Sequence, residues 1–157
     1  MLRPMRFVFI LLALMTVAVQ ARLPPAGTGA AKLPGRWRVK FILAGGAEKN
    51  LIFESKANGS GSFHLLDTGP DNQPVPTPLP AAWSRTTNDR VSFSGEGELP
   101  IGTCCREVGT LIFKGKFDSS NSISGKMIFV TSVDEEENPY KFHSAVGTFT
   151  ATRLLDH

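Results

Sequence analysis

The chain has 157 residues, with 17 Lys and Arg against 14 Asp and Glu, and only two cysteines. That length builds one domain with a real core and falls short of two. Two cysteines cannot supply the disulfide framework on which small secreted folds rely, so apolar packing has to hold this one.

Residues 1–21 read as a signal peptide. Arg3 and Arg6 form a positive start, Phe7 to Ala18 is apolar, and Val19-Gln20-Ala21 offers small residues at the cleavage positions. The apolar run is too short for the roughly 20 residues that span a bilayer. No Cys follows the cut, so lipid anchoring is not indicated. The mature chain keeps 15 basic residues against 14 acidic ones, a net charge of +1. Its basic balance is therefore mostly a property of the signal, and it points away from nucleic acid as a partner. A secreted or periplasmic location follows, with no membrane insertion after cleavage. Residues 22–34, rich in Pro, Gly and Ala without periodicity, read as a flexible leader ahead of a domain over 35–157.

From Gly35 the chain alternates with period two. In "GRWRVKFIL", Trp37, Val39, Phe41 and Leu43 share one face, and Arg36, Arg38 and Lys40 the other. Gly45-Gly46-Ala47 is read as a three-residue turn. It pairs Ala44 with Glu48, Phe41 with Leu51, Val39 with Phe53 and Arg38 with Glu54. "NGSG" at 58–61 turns the chain into a short strand, "SFHLL". The stretch "DTGPDNQPVPTPLP" has four prolines from Pro74 to Pro80 and reads as a long loop at a barrel mouth.

Two short strands, Ala82 to Thr87 and Arg90 to Glu96, flank "TND"; Val91 and Phe93 face inward, and the face of Trp83 is open. Glu98 to Glu107 reads as irregular. Val108 to Phe117 and Ile123 to Thr131 form a hairpin centred on Ser120, which pairs Phe113 with Met127, Leu111 with Phe129, and Gly115 with Gly125. The glycine pair leaves a gap in the wall where a ring could sit. After "SVDEEENP", Tyr140 to Leu154 makes the last strand or strand pair. The expected fold is all-β: a single eight-stranded antiparallel up-and-down barrel, with a β-sandwich as the alternative.

In such a barrel the last strand returns beside the first, so Arg153 lies on the same side as Trp37. A guanidinium over an indole there would close one end. With Gly35 and Trp37 as a G-x-W opening and Arg153 as the basic residue near the last strand, the chain resembles the lipocalin-like, calycin-type exported barrels. It lacks the T-D-Y stretch and the helix after the barrel that classical lipocalins carry. The resemblance implies a barrel closed by Trp37 and Arg153.

Cys104-Cys105 admits three readings: a strained vicinal disulfide, intermolecular bridges making a disulfide-linked dimer, or inert thiols. No C-x-x-C supports redox catalysis. His64, His143 and His157 are scattered, so no metal site is expected, and "DEEEN" at 134–138 lacks a calcium loop's alternating ligands. No hydrolase motif is present, and no cofactor is called for. The aromatic set Phe41, Phe53, Phe63, Phe93, Phe113, Phe129 and Phe149 fits inward positions, either as core or as the lining of a lumen. The leading expectation is a non-enzymatic barrel that binds a small hydrophobic ligand in that lumen. The alternative is a protein-binding module, such as an inhibitor of a secreted protease, whose leader enters the partner's cleft.

Overall fold

The computed structural model describes residues 32–101, 105–132 and 142–155. The expected signal peptide, nearly all of the leader, Cys104 and the acidic 134–138 stretch lie outside the described residues. So do the side chains of Cys105 and His143, and the whole of His157.

Eight strands follow one another around a closed barrel: β1 Gly35–Leu43, β2 Glu48–Ser55, β3 Ser60–Leu65, β4 Leu79–Arg85, β5 Arg90–Ile101, β6 Cys105–Ser119, β7 Ser122–Ser132 and β8 Phe142–Leu154. Every neighbouring pair is antiparallel, and β8 closes on β1. Closure satisfies both edges of the sheet, which an open sandwich would leave unpaired. A single 3-10 turn, Pro70–Asn72, interrupts the long loop.

Alternation is clearest in β1. In β1, Trp37, Val39 and Phe41 are buried while Arg36, Arg38 and Lys40 are exposed. The β6–β7 hairpin has the expected register, with Phe113 opposite Met127, Leu111 opposite Phe129 and Gly115 opposite Gly125.

Other details differ from the reading. The β1–β2 register is displaced by two residues: Val39 faces Leu51, Trp37 faces Phe53, and Phe41 faces Lys49. Arg36, not Arg38, is the residue that pairs with Glu54, at 3.0 Å. A two-residue shift keeps every side chain on its own face, so alternation cannot detect it. Gly45 takes φ +77°, and Gly46 donates to the Leu43 carbonyl, giving a longer connection than the three residues expected.

Two prolines in stretches read as loop or irregular, Pro80 and Pro100, lie within strands. Pro80 sits in β4 and Pro100 in β5, each one residue from a strand end, where a missing N–H costs the ladder least. Consequently most of the Glu98–Glu107 stretch is paired, from Glu98 with Val108 to Ile101 with Cys105.

Ordered structure also begins before Gly35. Leu33 is 1% exposed and belongs to the core. Its carbonyl accepts from Trp37 Nε1 at 2.7 Å and from Ser55 Oγ at 2.8 Å. The domain boundary therefore lies N-terminal of Gly35.

Candidate functional site

The barrel has two ends of different character. At one rim β1 starts and β8 finishes, with Trp37 directly opposite Arg153. The guanidinium carbon of Arg153 lies 4.3 Å from the centroid of the fully buried Trp37 ring. The same guanidinium donates to the carbonyls of Pro34, at 2.9 Å, and Lys32. Partial burial lowers the Arg153 pKa from its ordinary value, yet an arginine keeps its charge at neutral pH. Phe117 packs edge-on against Trp37 at 6.1 Å, and Arg85 caps Phe117 at 5.5 Å. Two cations and two rings thus seal this end. Sequence reading found Trp37 and Arg153 but not Phe117 and Arg85, because Arg85 ends a strand whose turn length the pattern leaves open.

The middle of the barrel is filled by its own rings. Phe93 stacks on Phe53 at 4.7 Å and on Phe113 at 4.8 Å. Phe63 meets Phe53, Phe93 and Phe113 edge-on, and Phe149 meets Phe93 and Phe113 in the same way. Phe41 packs against Phe113 at 5.7 Å. Phe129 is 1% exposed and belongs to the same core. The Gly115/Gly125 gap is occupied as well: a Cβ on Gly115 would fall 2.7 Å from Phe149 Cζ. An eight-stranded interior is just wide enough for such packing. The set expected to line a lumen therefore forms a solid aromatic centre. Trp83 faces inward opposite Phe93, half-buried, its Nε1 donating to the Lys56 carbonyl at 2.8 Å.

Space opens at the other end. A hollow of about 480 Å³ lies there, walled by Phe41, Leu43, Leu99 and Pro100 and rimmed by the Gly45–Ala47 turn, Lys49 and Asn72. That volume falls within the range of small-molecule pockets. Of the seven aromatic candidates only Phe41 reaches it. The Pro-rich loop folds across the β2–β3 side of this mouth. Val75 N–H donates to the Leu65 carbonyl, and the Asp67 carboxylate accepts from the Asn50 backbone and side chain, both at 2.8 Å.

Lys49 is the residue that sequence reading missed. Opposite Phe41 in the register, it belongs to the inner face, and its Nζ donates to the Asp67 carbonyl at 2.9 Å and to Asn72 Oδ1 at 2.7 Å. Both partners are uncharged oxygens, so an ammonium with a third donor stands beside an apolar hollow. Its position in the alternation of "EKNLIF" was the available signal.

Among the described residues no three His, Cys, Asp or Glu side chains group as a metal site would require. His64 lies near Ser62 and Glu54 on the barrel exterior. No described helix is long and apolar enough to cross a membrane.

This geometry defines a small closed antiparallel barrel which, among the described residues, is plugged at one end and carries a hollow at the other. No family model matches the chain, and neither does any curated protein. Among solved structures it is similar to EF1p2_mFAP2b bound to DFHBI, with 14% identity and a TM-score of 0.49 over 78% of this chain and 94% of that one. It is also similar to a redesigned beta barrel, mFAP1, bound to DFHBI, with 13% identity and a TM-score of 0.45 over 79% and 97% of the two chains.

Proposed function

We propose that this protein is an exported, non-catalytic barrel that binds a small, mostly apolar ligand at its open end. The observation that carries this reading is the hollow of about 480 Å³ with Phe41, Leu43, Leu99 and Pro100 as walls. A cavity with apolar walls and one or two convergent polar groups is the usual form of a small-molecule site. Lys49 supplies the polar group here, and it favours a ligand with an acceptor or anionic head. Binding seats the ligand on the aromatic plug rather than within it. Export rests on the N-terminal segment, whose charged start, apolar run and small-residue end suit a signal peptide.

The test is fluorescence titration with two dyes, the anionic 1-anilinonaphthalene-8-sulfonate and the neutral Nile red. Saturable uptake of both is expected, and Leu43→Glu should weaken both at least about tenfold by placing a carboxylate in the apolar wall. Lys49→Met should weaken only the anionic dye. No uptake by the folded protein, or uptake unchanged by Leu43→Glu, overturns the reading.

A further inference from the structure

The barrel exterior carries a second concentration of polar side chains, away from the mouth. Outward side chains form rows across neighbouring strands, and two rows run side by side from β5 to β1. Arg90 stands opposite Lys116, Lys116 opposite Ser124, Ser124 opposite Thr150, and Thr150 opposite Lys40. In the next row Ser92 stands opposite Lys114, Lys114 opposite Lys126, Lys126 opposite Thr148, and Thr148 opposite the exposed Ile42.

Between and around these rows lie two adjoining hollows of about 590 and 430 Å³. They share Ser124 and Gly125, so together they make one groove across five strands. Four interstrand spacings make it about 19 Å long. Its floor is strand backbone, including that of Gly115 and Gly125, whose substituent positions point into the core.

The groove's charge is one-sided. Its lining carries five cations, Arg90, Lys114, Lys116, Lys126 and Lys40, and one carboxylate, Glu48. Lys40 is matched by Glu48 at 3.3 Å, and Lys116 lies 3.7 Å from Asp89 just outside. Ser124 donates to Asp118 at 3.1 Å. Lys114 and Lys126 face one another directly, and no ion pair joins either to a described residue. Like charges placed opposite in an antiparallel pair destabilise the sheet, and an anion lying between them reverses the sign.

We propose that this groove binds a linear acidic polysaccharide. Its cations and hydroxyls recur at each strand spacing, about every 5 Å, which suits a polymer bearing a carboxylate on each sugar ring. Lysine and hydroxyl side chains supply the donors that carboxylates and sugar hydroxyls accept. An extended peptide is disfavoured because a closed barrel has no free edge to extend by main-chain pairing. Single-stranded nucleic acid is disfavoured because the lining holds no exposed ring on which bases would stack. A flat bilayer does not reach the backbone floor between the two rows of side chains.

The experiment is titration calorimetry of the purified protein with oligogalacturonate over a salt series. Affinity is expected to fall linearly on a log–log plot against salt. K114Q/K126Q should lower affinity at least about tenfold and reduce the salt slope by about two, one for each lysine removed from the contact. A control, R38Q/K56Q, removes two exposed cations outside the groove and should change neither quantity; circular dichroism checks that all three proteins are folded. Leu43→Glu, which blocks the mouth, should also leave sugar binding intact. The proposal is overturned by no binding at low salt, by equal losses in the control, or by oligothymidylate binding as tightly as the sugar.

Discussion

Arg153 lies over the face of Trp37 at 4.3 Å, and these two residues are direct cross-strand partners near opposite ends of the domain. The contact joins the first strand to the last, and the same guanidinium pins the carbonyls of Lys32 and Pro34. One side chain therefore closes the barrel and anchors the chain that enters it.

Removing that group should be costly. Arg153→Met loses a cation–π contact, worth about 0.5–2 kcal/mol, and hydrogen bonds from a charged donor. A loss of about 2–3 kcal/mol is expected in urea denaturation. Arg153→Lys should recover less than half of it, because an ammonium cannot cover the ring and reach two carbonyls at once.

Leu33 offers a test of where the domain begins. Its side chain is fully packed and its carbonyl receives both Trp37 and Ser55. Leu33→Ala should cost about 2–4 kcal/mol, the range for a core Leu truncation. A protein beginning at Gly35 should melt well below one beginning at Lys32.

At the centre of the plug, Phe93 stacks between Phe53 and Phe113. Phe93→Ala should destabilise by about 3–5 kcal/mol. Gly115→Ala should also destabilise, by about 1–3 kcal/mol, because its Cβ would meet Phe149 and Ile123 at 2.7 Å. Thermal melts of both variants check this.

Acid provides a local test at the β4–β5 turn. The Thr87 hydroxyl bonds to Asp89 at 2.7 Å, and this hydrogen bond chiefly lowers the carboxyl pKa below its ordinary 3.8. A depressed folded-state pKa means the turn's stabilisation is present above the ordinary aspartate value and is lost as pH falls through the lower one. Carbon-detected NMR titration should place the Asp89 midpoint below 3.8, and Thr87→Val should raise it.

Much of this architecture was legible in period-two patterning. Trp37, Val39 and Phe41 face inward, and the short turn after Asp118 left only one sensible register for Gly115 and Gly125. The β1–β2 register was not legible, since Phe41 opposite Leu51 and Phe41 opposite Lys49 preserve the same faces. Pro80 and Pro100 were misread for a related reason: a proline's cost depends on how near it lies to a strand end, which composition does not show. The expected mid-barrel lumen is filled by its own rings, and the proposed site lies at the mouth instead. Inward positions for Phe53, Phe93 and Phe113 can be counted from sequence, but whether those rings meet depends on barrel radius and strand coiling. Lys49 was hidden because a lysine beside a turn ordinarily points to water.

Because Arg36 pairs with Leu154, the domain's entry and exit strands leave from one rim, the rim that Trp37 plugs. A tag, a second domain or a surface tether joined at either terminus would hang from that side. The hollow bounded by Phe41, Leu43 and Leu99 would stay turned away from the attachment. A short linker between the two termini should likewise permit the chain to be reopened at the Gly45–Gly46 turn without undoing the cylinder.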